Sequence, residues 1–313
     1  MRLVVKELFR VQVPATCAHL GPGYAVLGVA LNLTLDVRVH ESQQEGYTVE
    51  VGGSGPAARL DPRHDPLLRG FHAALELTKT KPPPGLRFVT VNDIPPAAGL
   101  GSATALYAAG LAAGAKLARR PVTVDEVLDQ LARLGGDPAH GAAALQGGLA
   151  AACMVSAPDE HARYRACGYP LHSAWRFVVA LPDAHVGAAD AQRILPATLP
   201  HAVASRTSGR LLGLLRALAE GNEELAARCL RDEVHVPFRR KLVPGMEGAL
   251  QAALTAGACG STIAGHGPGI VALTTQGKVC PAIAVAMQQA FAAAGIQATT
   301  RTLESTARGA LSP

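Results

Sequence analysis

The first third of the chain alternates. In "LTLDVRVH" (Leu33 to His40) and "YTVEVGG" (Tyr47 to Gly53) apolar and polar positions exchange with period two, which predicts half-buried strands. The polar "ESQQEG" between them predicts a hairpin, and "MRLVVKELFRVQV" at the start reads as a further strand. "DPLLRGFHAALELTKT" then takes up helical spacing and stops before the breaker Pro82-Pro83-Pro84-Gly85. "GLRFVTV" is again strand and runs into a glycine loop, after which helix continues to about Arg119. Thr123 and Glu126 have the spacing of a capping box opening the helix "VDEVLDQLARL".

After the strand "QGGLAAACMVS" comes a looser segment, "APDEHARYRACGYP", which predicts a boundary between an N-terminal lobe, 1–160, and a C-terminal lobe, 161–313. The strand "WRFVVALP" opens the second half. Helices follow through "ASRTSGRLLGLLRALAEG", Gly221 to Arg231 and Gly245 to Ala256. The pattern closes as strand, glycine turn, strand, helix and strand from Ser261 onward. Strands and helices segregate instead of alternating regularly, so the expected class is α+β in two lobes sharing a cleft. The many alanines fall inside predicted helices, where they are good helix formers.

Composition narrows the functional classes. An apolar fraction of 49% with 17% charged residues over 313 residues describes a globular chain with a sizeable core. No run approaches the roughly 18 apolar residues of a membrane span, and the start lacks a signal peptide's apolar core, so no membrane partner and a cytoplasmic location are expected. The net charge of +5 is spread without a basic block, and aromatics at 4% offer no stacking surface for nucleic acid. A basic cleft for a small anion fits the same charge. The six cysteines are scattered with no C-x-x-C pair, which predicts buried free thiols.

The candidate chemistry begins at "IPPAAGLGSATALYAAG", Ile94 to Gly110. A helix N-terminus carries unpaired N–H groups and about half a positive charge, so it attracts anions. Gly99 and Gly101 would let the backbone approach a phosphate, while Ser102 and Thr104 offer hydroxyls. No lysine is present, so this is not a Walker A loop. Glycine before an alanine helix also serves close helix packing, and the loop alone does not choose between the two.

Two more glycine turns beside apolar strands, "PATCAHLGPGYAVLGVAL" (Pro14 to Leu31) and "GACGSTIAGHGPGIVAL" (Gly257 to Leu273), join that loop. In order and spacing the three resemble the signature motifs of the GHMP kinases, and the chain is most similar to the homoserine kinase branch. "DAQRILP" (Asp190 to Pro196) and "EVHVPFRRKLVPG" (Glu233 to Gly245) resemble that branch's A-R-x-x-L-P and H-x-P-[FY]-R-x-x-L-x-P-G segments. The resemblance implies a ribosomal S5-like N-terminal lobe and a ferredoxin-like C-terminal lobe. It implies transfer of the γ-phosphate of ATP, with Mg2+, to the hydroxyl of L-homoserine in threonine biosynthesis. It further implies that the ATP phosphates are wrapped by Pro95, Pro96, Ala97, Ala98, Gly99, Leu100, Gly101, Ser102, Ala103, Thr104 and Ala105. Arg193 and Arg239 are matched to the arginines that hold the substrate carboxylate. The implied partner is a small amino acid, and the resemblance leaves room for a homodimer.

The chain departs from the family at a cluster of positions. His19 stands at an asparagine of the first motif and Ala25 at its substrate-holding aspartate. "GGDPAHGAAALQGG" aligns with E-G-H-P-D-N-V-A-P-A-L-x-G-G, placing Gly135 at the magnesium-binding glutamate, Asp137 at a histidine and His140 at a substrate-contacting asparagine. Ala189 takes the place of a threonine, and His266 that of a small residue. Asp137 is therefore a candidate for magnesium beside Ser102, or else a helix N-cap. His19 and His140 are candidates for touching substrate, or else hydrogen-bonded fillers. The resulting catalytic set is Ser102, Asp137 and Arg193. Two readings stand: a homoserine kinase-type enzyme, conceivably for a neighbouring hydroxy or amino acid, and a catalytically impaired relative that binds nucleotide or a carboxylate.

Overall fold

Residues 6–53 and 64–312 are described by a computed structural model of the chain; residues 1–5 of the first predicted strand lie outside them. The first sheet is built on the long strand β2 (Leu27–Glu41), whose one edge carries β1 (Glu7–Ala18) antiparallel. β3 (Gly46–Gly53), helix α1 (Pro66–Thr78) and β4 (Gly85–Asn92) follow in the chain. The hairpin expected between β2 and β3 does not form. β4 lies between them, antiparallel to β2 and parallel to β3. Alternation defined both strands but not their pairing, because a parallel neighbour needs a crossover, here α1, which strand pattern does not report.

α1 packs on α2 (Ser102–Ala118) at close range. A Cβ on Gly70 would overlap the carbonyl of Tyr107, and one on Gly110 the carbonyl of Leu67. α3 (Val124–Arg133) opens on the Thr123–Glu126 capping box expected from the sequence. α4 (Pro138–Gln146) leads into β5 (Leu149–Met154) and β6 (Tyr164–Tyr169), giving the sheet order β3-β4-β2-β5-β6 with β1 on β2. β6 lies in the stretch expected to divide the lobes, yet it pairs with β5. The division between sheets therefore falls after Tyr169, later than the expected 160.

The second sheet is antiparallel, in the order β10-β7-β9-β8. Its strands are β7 (Arg176–Pro182), β8 (Gly260–Ile263), β9 (Ile270–Thr274) and β10 (Ala298–Leu303). Between β7 and β8 lie the short α5 (Ala188–Arg193), the long α6 (His201–Glu220), α7 (Glu223–Cys229), the single-turn α8 (Val236–Arg239) and α9 (Met246–Thr255). α10 (Cys280–Ala293) precedes β10. β7 feeds two cores by its period of two. Val178 and Ala180 pack with Met246, Ile283 and Phe291, whereas Phe177 and Val179 join the large core that also holds Phe71, Phe88 and Leu214. The class is α+β, as expected. The chain end returns to the first lobe, where Ala310 N–H donates to the carbonyl of Ala144 on α4 at 2.8 Å. Among the described residues no helix is long and apolar enough to cross a membrane.

Candidate functional site

Three glycine turns and α8 converge on one cleft. β1 delivers Thr16, whose N–H donates to the Leu100 carbonyl at 3.1 Å and so pins the glycine loop before α2 to the sheet. That loop runs through positive φ at Ala97 (53°), Gly99 (79°) and Gly101 (73°). The glycines are needed for a reason other than the one expected. A Cβ on Gly99 would collide with the Ala264 carbonyl, and one on Gly101 with Thr16 Oγ1 and His140 Nδ1. The missing side chains thus admit protein backbone and side chains rather than an anion.

What stays open for an anion is the start of α2. No side chain caps it, and Pro96, Ala97 and Ala103 around it are exposed. Ser102 lies within 3.4 Å of Asn92 Nδ2, while Thr104 is buried.

α4 carries Asp137 and His140 into the same cleft. Asp137 is its N-cap: Oδ1 accepts from Ala139 N–H (2.9 Å) and His140 N–H (3.1 Å). Oδ2 lies 3.0 Å from His19 Nε2, off the line of a straight hydrogen bond. Burial alone would push the Asp137 carboxyl up, but the contact with His19 and the His140 amide hold it well below the usual carboxylate range. His140 is buried, with Nδ1 at 2.7 Å from Thr16 Oγ1. Burial draws it down to about 4, with the Asp137 carboxylate opposing.

His19 and Ala25 both hold left-handed backbone, φ 62° and 58°. Asn and Asp, which the family carries there, tolerate that region better than His or Ala. The Ala25 N–H donates to His19 Nδ1 at 2.7 Å. An accepting Nδ1 places the ring proton on Nε2, facing Asp137.

From the second half of the chain, Gly265 N–H donates to the Ala18 carbonyl at 3.0 Å and seats the turn 265–268 against the first lobe. His266 on that turn has its ring 4.8 Å from that of His19 and its Nε2 3.9 Å from Asp137 Oδ2. Burial lowers it to about 4, and the nearby His19 adds to this. His235 is buried before α8, with Nε2 3.1 Å from the Gly21 carbonyl. It stacks on Tyr24 at 5.2 Å.

Arg239 is 1% exposed. Its Nε donates to the Ala191 carbonyl at 3.0 Å, its guanidinium lies 5.1 Å from the Tyr24 ring centre, and both Nη groups are buried without a partner. Burial lowers its pKa, with Tyr24 working the other way.

The two expected arginines do not meet. Arg193 ends α5 pointing outward, 80% exposed and paired with Asp190. Reading "AQRILP" against A-R-x-x-L-P puts Gln192, not Arg193, at the arginine's place. Gln192 Oε1 accepts the Tyr24 hydroxyl at 2.9 Å. His19 lies against Asp137, His140 and the Tyr24 ring, and Tyr24 in turn meets Arg239. Tyr24, His235 and Gln192 were not singled out, although all three lie inside the matched motifs.

The residues present do not fit magnesium. That ion is usually held by one or two carboxylates beside its waters and phosphates, whereas Gly135 brings no side chain and both Asp137 oxygens are turned to α4 and His19. His19, Asp137 and His266 do place one candidate ligand atom each within 4.8 Å of one another, a set suited to a transition metal. A ligating histidine, however, normally donates its other N–H. Here Nδ1 of His19 accepts instead, so Nε2 keeps its proton and is not free to ligate. A cavity of about 800 Å³ lies elsewhere, under Arg10, Lys116, Arg120 and Arg308, and none of the cleft residues lines it.

Residues 67–155 match the family model described as GHMP kinases N terminal domain, and residues 214–293 the one described as GHMP kinases C terminal. The chain is similar to a homoserine kinase from Microchaete diplosiphon, 33% identical with 96% of each chain covered. It is also similar to one from Gloeobacter violaceus, 35% identical over 84% of this chain and 87% of that one. The crystal structure of homoserine kinase from Cytophaga hutchinsonii superposes with a TM-score of 0.83 at 25% identity, covering 98% of this chain and 99% of that one. The chain belongs to the GHMP kinase family, on its homoserine kinase branch.

Proposed function

We propose that this cleft transfers the γ-phosphate of ATP to the side-chain hydroxyl of a small amino acid, with L-homoserine as the first acceptor to try. One observation carries the reading: the two buried, unpartnered Nη groups of Arg239. An unsatisfied buried cation is costly to the fold, and a carboxylate would supply the planar, bidentate acceptor that its fork matches. The open first turn of α2 supports the nucleotide half of the reading, through amides and dipole aimed at a polyphosphate. Ser102 is its nearest hydroxyl. In this reading His140 joins the phosphate loop to the turn at Gly265, and His19 holds Asp137 in place. Phosphoryl transfer depends mainly on positioning and charge neutralisation, which such a cleft provides. Since Gly135 brings no carboxylate and that of Asp137 is engaged by α4 and His19, no step is routed through magnesium.

A second reading, of a silent relative that binds nucleotide or a carboxylate, is favoured by Gly135 standing at the metal carboxylate. The decisive experiment is ADP release coupled to homoserine, beside calorimetry of ATP binding. Turnover near or above about 1 s⁻¹ supports the kinase. ATP binding without turnover supports the silent relative, and absence of ATP binding removes both. The homodimer remains an expectation that sedimentation of the purified chain would test.

A further inference from the structure

The cavity of about 800 Å³ away from the cleft is walled by β1, by the later turns of α2 and by the chain's tail from Thr306 to Ser312. Arg10, Lys116, Arg120 and Arg308 line it, and among the described residues no aspartate or glutamate does. Two of these cations are engaged. Arg10 pairs with Asp36, and Lys116 Nζ donates to the Arg10 carbonyl at 3.1 Å. The guanidinium groups of Arg120 and Arg308 have no hydrogen bond or ion pair among the described residues, and Arg308 is held only through its backbone N–H on Thr306 Oγ1. Glu126 feels the charge of Arg120 but is spent on the Thr123 cap. Val122 and Leu311, both half-buried, add an apolar wall. The tail side of the cavity is laid on α4 and the residues after it. Leu311 N–H donates to the Leu145 carbonyl at 3.0 Å, Ser312 Oγ to the Gln146 carbonyl at 3.2 Å, and Gly148 N–H to the Thr306 carbonyl at 2.8 Å. At its other end the same helix carries Asp137 and His140 into the cleft.

We propose that this cavity is a second ligand site, which binds a small organic anion with two negative charges on an apolar body and thereby clamps the tail onto α4. Cations gathered around a hollow without acids concentrate anions there, and an unpaired guanidinium offers a planar fork to phosphate or carboxylate. Arg308 stands on the tail and Arg120 just beyond α2, so an anion held by both ties one wall to the other. Arg10 and Lys116 add their field without leaving their partners. The apolar body rests on Val122 and Leu311. The volume lies within the range of sites for small molecules. A ligand that binds only the docked tail stabilises the docked state by mass action, and so steadies the far end of the helix that bears Asp137. The site stands apart from the phosphoryl-transfer reading, whose failure would leave it untouched.

The test uses the full-length protein and three probes: phenyl phosphate, phthalate and uncharged phenol. Calorimetry should show saturable binding of one or both anions and none of phenol, and the tighter anion tells a phosphate ester from a dicarboxylate. Arg120→Gln and Arg308→Gln should each weaken that binding about tenfold or more, as loss of a charge-assisted contact does. Their thermal midpoints without ligand should stay at the wild-type value, since neither guanidinium has a partner to lose. The bound anion should slow amide hydrogen exchange at Ala310 and Leu311 in the wild type and not in Arg308→Gln. Binding that both variants leave intact puts the anion elsewhere, such as the start of α2, and overturns the proposal. So does a lack of saturable binding by either anion, or equal binding of phenol. Binding that the variants weaken, but that leaves exchange at the tail unchanged, overturns the clamp. If sedimentation shows that the variants alter self-association and not anion affinity, the hollow is a contact between copies and the proposal fails.

Discussion

His19 and Asp137 meet at 3.0 Å across the cleft, Nε2 to Oδ2, with His19 locked from behind by the Ala25 amide. Asp137 therefore has two jobs that substitution can separate. Asp137→Ala removes the N-cap of α4 and leaves the His19 N–H without its neighbour, an expected loss of about 1–2 kcal/mol. Asp137→Asn keeps an N-cap acceptor but turns an amide N–H toward the His19 N–H, so it should cost about 1 kcal/mol, all of it from the His19 side. Urea unfolding of both variants checks the difference.

Acid should weaken the fold in two stages. His140 and His235 have folded values of about 4, against an ordinary 6.5, because burial disfavours their charged forms. Between those values the unfolded chain binds protons that the native one refuses, so stability is full above pH 6.5 and drains as pH falls toward 4. Each contributes on the order of 1–3 kcal/mol. Asp137, depressed below its ordinary value, adds stability that is present above about pH 4 and lost below it. Urea midpoints from pH 8 to 3 should show both limbs, and His140→Asn should shrink the upper one more than the lower, since His140 also helps to hold Asp137 down.

The two arginines matched in the sequence should behave in opposite ways. Arg239→Met replaces a buried cation with unpartnered donors by an apolar chain, so it should leave stability unchanged or raise it. The same change should raise the KM for the amino acid by about 100-fold or more, as loss of a buried charge-assisted contact does. Arg193→Ala removes an exposed pair with Asp190 and should shift stability by less than about 0.5 kcal/mol, with kinetics unaltered. Steady-state kinetics with denaturation curves would decide it. Equal damage from both substitutions would contradict the outward placement of Arg193.

Glycine is required unequally at two left-handed positions. Gly99 has φ 79° and the Ala264 carbonyl where a Cβ would sit; Gly135 has φ 91° and nothing within 4 Å. Gly99→Ala should cost more than about 3 kcal/mol, combining strain and collision. Gly135→Ala should cost only the backbone term, about 1–2 kcal/mol. Thermal melts of the two variants measure the gap.

The elements were largely legible in the chain. The two period-two stretches became β2 and β3, the further expected strands became β4 and β7, helical spacing became α1, and the Thr123–Glu126 pair capped α3 as its spacing requires. Such features depend on neighbours a few residues apart, so a linear pattern records them. The glycine turns and their order were legible for the same reason, and they carried the family.

Partners and facings were not. The chain could not say that β4 would part β2 from β3, or that β6 would extend the first sheet, because pairing is chosen by which surfaces a crossover can bury. Nor could it say that Gly99 and Gly101 make room for Ala264, Thr16 and His140, that Arg193 turns outward while Arg239 is enclosed, or that His266 meets Asp137. Residues separated by more than a hundred positions share a cleft only after folding sets their distance. Charge, tautomer and exposure there follow from that distance, so the chemistry of this site belongs to the tertiary structure.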